Sequence, residues 1–596
     1  MHNARKRSNE VAKDFKGAIK NLITYNKPLV KYFIIALILS FLASIIAIIG
    51  PDKLKDITNI VSSGLMTGIN LDKVKEIAIV LVILYTLSAI FGYFEGLIMT
   101  IVNNRFQKSV RNDISRKINR LPLSFFDKTT IGDILSRVTN DVDTIGWTMT
   151  QSLTSIVSSL TLLLGSLFMM FYTNWILAVT AVLSTIIGMV FVVIIIMKSQ
   201  KYFNEVQNSL GDINGHIEEV FSGHNVVKAY NAEEETNATF DKINEHLFEA
   251  GRKSQFLSGL MHPLMGFTGN FGYVIVCVVG SILVINKTID FGVIVAFMMY
   301  IRFFTRPLMS IAQSFAGLQS AAAASERVFE FLDEEEMDDE KSINNKLAIS
   351  DTKGNLEFKD VIFGYDKDRV IIKDFSTIAK HGEKIAIVGP TGAGKTTIVN
   401  LLMKFYDINS GDIIIDGYSI KDLTRDNVHD LFTMVLQDTW IFEGTIKDNI
   451  RYNNKDITDE EIIDACKKVG LHHLIKTLPK GYNTVLTDAD NLSAGEKQLL
   501  TIARAMISKK PYLILDEATS NVDTRTEELV QQAMDKLAID KTSFIIAHRL
   551  STIRNADKIL VINDGKIIEQ GTHEELLEKN GFYAEMYNSQ FQELLD

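Results

Sequence analysis

The chain has no excess of basic charge: 62 Lys and Arg stand against 72 Asp and Glu, for a net charge of −10. The isoelectric point is near 5.7. A nucleic-acid partner needs a basic stripe to neutralise phosphates, so that function class is excluded. Cysteine is nearly absent, with 2 in 596 residues. Cys277 in an apolar run and Cys466 in a polar half cannot build a disulfide framework or a cysteine metal cluster, and both read as small buried hydrophobes. A cleavable leader is not expected either, because the first apolar run is too long and lacks a small-residue cleavage site.

Long apolar runs are what the first half does have. Six stretches of roughly 18 to 26 residues are apolar enough to cross a bilayer core of about 30 Å. They lie near Phe33–Gly50, Ile77–Val102, Leu153–Phe171, Trp175–Met197, Leu264–Ile285 and Phe291–Ile311. Two long connections, about 50 and 65 residues, alternate with short ones and keep a helical period, so spans two to five are expected to continue as helices into the cytoplasm. Lys and Arg crowd the N-terminal arm from Arg5 to Lys31 and the first long connection from Arg105 to Arg137. The positive-inside rule places those segments in the cytoplasm. Glu95, Asn270, Arg302 and Arg306 interrupt the spans. An ionisable group at membrane depth implies a cavity or an ion pair, and one near a span end implies snorkelling to water; both readings stay open for these residues.

Roughly the last 240 residues mix charge with short apolar strands and read as a soluble domain. Leu356–Phe363 alternates like a strand, and Lys384–Val388 is an apolar strand running into GPTGAGKTT, which opens a helix. That is the phosphate-loop pattern in its proper context. Gly389, Thr391, Gly392, Ala393 and Gly394 let backbone N–H groups curl round phosphates, Lys395 reaches their outer oxygens, and Thr396 offers a hydroxyl to Mg²⁺, with Thr397 beside it. A second apolar strand, Tyr512–Asp516, ends in two carboxylates. Asp516 is placed to hold Mg²⁺ and Glu517 to polarise an attacking water.

The order of Tyr365, GPTGAGKTT, VLQD at Val435 to Asp438, LSAGEKQ from Leu492, LILDEATS, NVD at Asn521 to Asp523 and IIAHRL resembles the ATPase domain of an ATP-binding cassette transporter. With six spans before it, the chain resembles a bacterial half-transporter of the exporter type. FFDKTTIGDILSRVTNDVD and IEEVFSGHNVVKAYNAEE are similar to that family's two cytoplasmic loops.

The resemblance implies a six-helix all-α membrane domain with long cytoplasmic extensions, fused to an α/β phosphate-loop ATPase domain. The expected division is an arm and elbow helix over 1–28, a membrane domain over 29–325, a linker over 326–352 and an ATPase domain over 353–596. ATP and Mg²⁺ are the implied cofactors. Tyr365 would stack on adenine, Gln437 would touch Mg²⁺ or the attacking water, and His548 would hold the γ-phosphate and Glu517. Asp523 would lie across an interface between two ATPase domains. Thr396, Gln437 and Asp516 form the implied Mg²⁺ set. The family works as a pair, each ATP held between one phosphate loop and the other domain's signature, so a second half-transporter is required. Stretches near Leu123–Thr130 and Glu219–Tyr230 would be coupling helices resting on the ATPase domains.

ATP-driven export of hydrophobic or amphipathic compounds, drugs or lipids, through the cytoplasmic membrane is the expected function. A peptide exporter with its own protease is disfavoured, since about 30 residues before the first span are too few for such a domain. An ATPase-regulated sensor or channel is the alternative from another class.

The family usually writes its signature LSGGQ. Here Ala494 replaces a glycine and Glu496 a glutamine. Ser493 and Glu496 have capping-box spacing, so a helix is expected to start there intact, with Ser493 and Gly495 still able to approach a phosphate. The altered residues serve the partner's phosphate loop. The chain's own hydrolytic residues match the family, so a heterodimer with one competent and one weak site is expected, a homodimer being the rival.

Overall fold

The computed structural model describes residues 12–65, 68–366, 369–437, 439–454, 456–486, 492–516, 524–547 and 550–591. The chain divides into two compact units, one of Met1–Asn119 with Ile131–Glu334, the other of Arg120–Thr130 with Glu335–Asp596.

The first unit is helical. After α1 (Phe15–Tyr25) come α2 (Val30–Gly64) and α3 (Leu71–Ile118). Next in the chain come α4 (Leu123–Lys128), which belongs to the second unit, and α5 (Ile131–Ser136), which a turn of π-helix at Arg137–Asp141 joins to α6 (Val142–Thr173). Then α7 (Trp175–Ser222), α8 (His224–Ala229), α9 (Glu233–Ile285) and α10 (Phe291–Leu332) complete the series. Among the described residues six helices are long and apolar enough to cross a membrane. With 48, 48 and 53 residues, α3, α7 and α9 run on as expected. At about 1.5 Å per residue each is more than twice as long as a bilayer core is thick.

Within this unit α7 packs along α9, α6 along α10, and α2 along α3. Lipid tails are as apolar as leucine, so close backbone approach and buried polar contacts hold such pairs. A Cβ on Gly188 would stand 2.1 Å from a Thr268 side-chain carbon, which shows how near α7 and α9 come. Ser155 and Ser310 share a hydrogen bond of 2.6 Å between α6 and α10. At the cytoplasmic end the Arg327 guanidinium donates to both carboxylate oxygens of Asp141, a two-pronged geometry that fixes α10 against the π-helical turn.

The second unit is α/β. Its strands are β1 (Leu356–Phe363), β2 (Ile372–Ala379), β3 (Lys384–Val388), β4 (Ser410–Ile415), β5 (Tyr418–Ser419) and β6 (Phe432–Val435). They continue with β7 (Gly444–Thr445), β8 (Val485–Leu486), β9 (Tyr512–Asp516), β10 (Thr542–Ile546), β11 (Lys558–Asn563) and β12 (Lys566–Gly571). Helix α11 (Lys395–Leu402) follows β3 and α12 (Arg425–Leu431) precedes β6. A helical layer follows with α13 (Ile446–Arg451), α14 (Asp459–Lys468), α15 (His472–Thr477) and α16 (Ala494–Ile507). The last helices are α17 (Thr524–Leu537), α18 (Leu550–Arg554), α19 (His573–Glu578) and α20 (Phe582–Phe591).

Among the described residues the larger sheet has the order β12-β11-β3-β10-β9-β6, parallel except for β12. Its central strands are short apolar runs, and every residue of β10 is buried, as a parallel strand covered on both faces requires. β1, with its alternating pattern, sits instead in a smaller antiparallel sheet, β2-β1-β4-β5. The linker is strapped to this unit. Asn427 is buried and accepts from the Leu347 N–H while its amide donates to the Leu347 carbonyl. Glu340 takes Arg425 and Lys404 as ion-pair partners at 2.9 and 3.0 Å.

Candidate functional site

Parallel strands aligned in register gather their C-terminal ends along one sheet edge, where the following loops can build a site. Val388 of β3 runs into the phosphate loop, Asp516 ends β9, and Val435 of β6 leads within two residues to Gln437. Pairing of Val435 with Leu515, Ile546 with Asp516, and Ile546 with Ile387 brings these ends level. Glu517, Asp523 and His548 lie outside the described residues.

The loop from Gly389 to Thr397 has the build of an anion cradle. Gly389 approaches the next strand so closely that a Cβ would lie 2.1 Å from the Ile562 carbonyl oxygen. Gly394 takes a φ of 102°, a conformation that L-residues with side chains avoid, and is the N-cap of α11. No side chain caps α11, so its first-turn N–H groups remain for an acceptor such as phosphate. Lys395, only 9% exposed, donates its ammonium to the carbonyls of Gly389 at 2.7 Å and Pro390 at 3.2 Å. Burial holds this ammonium below the usual lysine range, and the charge of Asp516 opposes that shift. Thr396 is exposed at the loop end while Thr397 is buried. Thr391 and Gly392 lie at the open rim, and Ala393 is buried beneath it. Hydroxyl, amide and carboxylate from Thr396, Gln437 and Asp516 are hard oxygen donors of the kind that suits Mg²⁺.

Tyr365, 42% exposed, donates its hydroxyl to Thr397 and accepts from the Asn400 amide, each at 3.2 Å. Its ring packs edge-on against Tyr406 at 4.9 Å and Phe363 at 5.0 Å. Tyr406 in turn donates its hydroxyl to the Asp127 carboxylate of α4. Burial and that carboxylate push the Tyr406 phenol far above the usual tyrosine range, so it stays a donor at physiological pH. The Arg120 carbonyl accepts from the Met337 N–H, which ties the start of the same loop to the linker. Sequence reading missed Tyr406, which carries no motif. It found the loop containing Asp127 only by resemblance.

A second missed residue is Arg504. Its guanidinium lies within 5.9 and 5.2 Å of the ring centroids of Phe442 and Tyr452, which stack on each other at 5.2 Å, and donates to the Asn449 carbonyl at 2.8 Å. Leu436, Trp440, Tyr452 and Arg504 line a groove of 920 Å³ beside the loop that carries Gln437. An arginine on the buried side of an amphipathic helix was the available signal.

The LSAGEKQ stretch forms the expected capping box. Ser493 is the N-cap of α16, its hydroxyl accepts from the Glu496 N–H at 3.3 Å, and the Glu496 carboxylate accepts from the Ser493 N–H at 2.7 Å. Ser493 and Ala494 are exposed, and Gly495 is buried. The box depends on an acceptor at position 496, which glutamine supplies as well as glutamate. Glu496→Gln should therefore leave the thermal stability of the ATPase unit within ~0.5 kcal/mol of the wild type, while Glu496→Ala should cost about 1 kcal/mol. Equal losses in denaturant unfolding of the two variants would show that the charge, and not the cap, stabilises the helix start.

Residues 33–308 match the family model described as the ABC transporter transmembrane region, and 372–520 match that of the ABC transporter. The chain is 42% identical over 520 residues to the fatty acid ABC transporter ATP-binding/permease protein of Mycobacterium tuberculosis, covering 87% of this chain and 82% of that one. It is 35% identical over 513 residues to a probable multidrug resistance ABC transporter ATP-binding/permease protein of Bacillus subtilis, covering 85% and 75%. It is 33% identical over 525 residues to the ATP-dependent lipid A-core flippase of Syntrophus aciditrophicus, covering 88% and 87%. With its six spans and one ATPase domain, the chain belongs to the ABC transporter family as an exporter-type half-transporter, a multi-pass membrane protein whose ATPase activity is coupled to transport.

Proposed function

We propose that this half-transporter exports hydrophobic or amphipathic compounds, lipids or drugs, and that it works as one subunit of a heterodimer. The substrate class draws its support from relatives named for fatty acid, lipid A-core and multidrug transport. The catalytic reading rests on one observation above all, the alignment of the phosphate loop, Asp516 and Gln437 along a single sheet edge.

At that edge Lys395 and the first turn of α11 bind the triphosphate, and Tyr365 offers its exposed ring to the adenine. Thr396, Asp516 and Gln437 would hold Mg²⁺, which neutralises phosphate charge when bound. Glu517 takes the role of general base, and His548 holds it in place. Ser493 and Gly495 would serve the second subunit's nucleotide, and Asp523 would lie across the interface between the two ATPase domains. Ser493 accepts the Glu496 N–H and still has its own hydroxyl proton to donate. Glu496 keeps its negative charge at the head of α16, which lowers the signature's affinity for a triphosphate on the partner. That asymmetry favours the heterodimer, with this chain supplying the competent phosphate loop.

Asp127 and Tyr406 serve as the coupling contact of the first cytoplasmic loop, and α8 as that of the second. Phe221, Val226 and Tyr230, at 77, 60 and 81% exposure around α8, give it apolar surface to bury on an ATPase domain of the pair.

Glu517→Gln should bind ATP with near-normal affinity and hydrolyse it at least ~100-fold more slowly, measured as single-turnover ATPase; normal turnover would identify another base. Tyr406→Phe keeps the ring beside Tyr365 and removes the bond to Asp127. Its KM for ATP should stay within ~2-fold while the substrate-stimulated rate falls roughly 3- to 10-fold. An unchanged stimulated rate would remove Tyr406 from coupling. The export reading is tested by ATP-dependent uptake of amphiphiles into inside-out vesicles, first with this chain alone. Robust stimulated ATPase without a second subunit would establish the homodimer, and no uptake with either composition would favour the sensor.

A further inference from the structure

Four consecutive residues after α11 tie it to the linker, to α4 and to α12, all within the second unit. Lys404 is buried, and its ammonium donates to the Leu423 carbonyl at 2.5 Å and pairs with Glu340 of the linker at 3.0 Å. The Phe405 ring packs edge-on against His429 of α12 at 5.6 Å. Tyr406 donates to Asp127 of α4, and Asp407 accepts from Arg425, the first residue of α12, at 2.7 Å. Because α11 is one short helix that opens at Lys395, this junction stands about 12 Å from the phosphate lysine along a single rigid element.

Glu340 joins the linker to both sides of this junction. Its Oε1 accepts from Lys404 and from the Arg425 guanidinium at 2.9 Å, and its Oε2 accepts from the Arg425 N–H at 2.7 Å. A 3₁₀ turn over Glu340–Ser342, capped by Asp339, presents the carboxylate. His429 of α12 also donates to the Met403 carbonyl at 2.9 Å, and α12 ends where β6 begins, which leads to Gln437. One linker carboxylate thus holds the far end of the phosphate helix and the start of the helix that leads to Gln437. Stability alone does not require such a cluster, since apolar side chains of similar volume serve it as well as buried ions do. Upstream the linker has little slack. In the first unit the buried Lys117 ammonium donates to the Glu334 carbonyl. Only residues 335–339 separate that anchor from Glu340, and an extended chain spans at most about 3.5 Å per residue. A tether held at both ends passes a displacement on.

We infer that Glu340 is a positioning residue for coupled ATP hydrolysis, the carboxylate through which the end of α10 and the phosphate helix of the same chain move together. Its route runs from α10 through residues 333–339 to Lys404 and Arg425, and it is separate from the bond of Tyr406 with Asp127. It requires ATPase activity coupled to transport and does not depend on which compound is exported.

Amide hydrogen exchange tests the route without any transported compound. It is measured on the full chain, with its second subunit where activity requires one, in nanodiscs of phosphatidylcholine, with and without Mg-ATP and vanadate. In the wild type the nucleotide should change exchange at the phosphate loop, 389–397, and at the last turns of α10, 325–332. In Glu340→Gln the response at 325–332 should shrink ~3- to 30-fold, the range for a residue that carries coupling. The responses at 389–397 and at the α4 tip, 123–128, should stay within ~2-fold, as should the KM for ATP. Glu340→Gln/Lys404→Met removes the charge of both partners, so it should recover thermal stability lost in the single variant without recovering the response at 325–332. Recovery of both together would overturn the role and leave a purely structural ion cluster. A response at 325–332 that survives in Glu340→Gln, or is missing from a wild type that responds at 389–397, would also overturn it. So would an equal loss at both places in Glu340→Gln, which would assign Glu340 to nucleotide binding.

Discussion

Inside a bilayer no water is present to satisfy backbone N–H and C=O groups, so the spanning segments of this chain must hold their own hydrogen bonds as helices. The rest of the first unit follows from that constraint. Once nucleated, a helix propagates at one bond per residue, and α3, α7 and α9 continue for 48 to 53 residues where the sequence turns from apolar to charged. The long connections are thus rods with short helices, α4 and α8, at their tips. A displacement of a tip is carried along the rod without being absorbed in a loose loop. Polar contacts such as Ser155 with Ser310 then decide which rods pair.

The tip at 120–130 is counted with the ATPase unit, not with the helices that lead into it. Two bonds explain this assignment chemically. The charge-assisted bond from Tyr406 to Asp127 is the stronger, and the pair of Lys128 with Asp366 at 3.7 Å is too exposed to hold anything by itself. Tyr406 also shares an edge contact with Tyr365, whose hydroxyl rests on Thr397. Three side chains therefore join the phosphate loop's helix to the first cytoplasmic loop. The Gln437 loop lies beside a separate groove, lined by Leu436, Trp440 and Arg504.

Features that depend on neighbours in sequence were legible from it. The apolar spans, the strand before GPTGAGKTT, the strand ending at Asp516 and the cap of α16 are each set by local period or spacing. Asp516, Gln437 and the phosphate loop could be assigned roles before their alignment was seen, because each carries a motif. Tyr406, Asp127 and Arg504 could not, since their partners are 279 residues away for the first pair and 55 for the last. Helix α10 was half legible. Arg302 and Arg306 stood out by composition, whereas the burial of Phe297, Tyr300 and Ile301 on the same helix emerges only from the fold.

Glu496 separates what a residue does for the fold from what it is proposed to do for the nucleotide. Its carboxylate bonds the Ser493 N–H, so the helix start is as well capped as the usual glutamine would make it. That bond uses up part of the acceptor's capacity without removing its charge. A neutral amide in this position leaves the positive end of α16 free to act on an approaching phosphate, whereas a carboxylate cancels much of it. In the proposed pair this effect would fall on the nucleotide of the other chain. In the proposed heterodimer the carboxylate would weaken only the site completed by this signature, and turnover would be concentrated at the phosphate loop around Lys395.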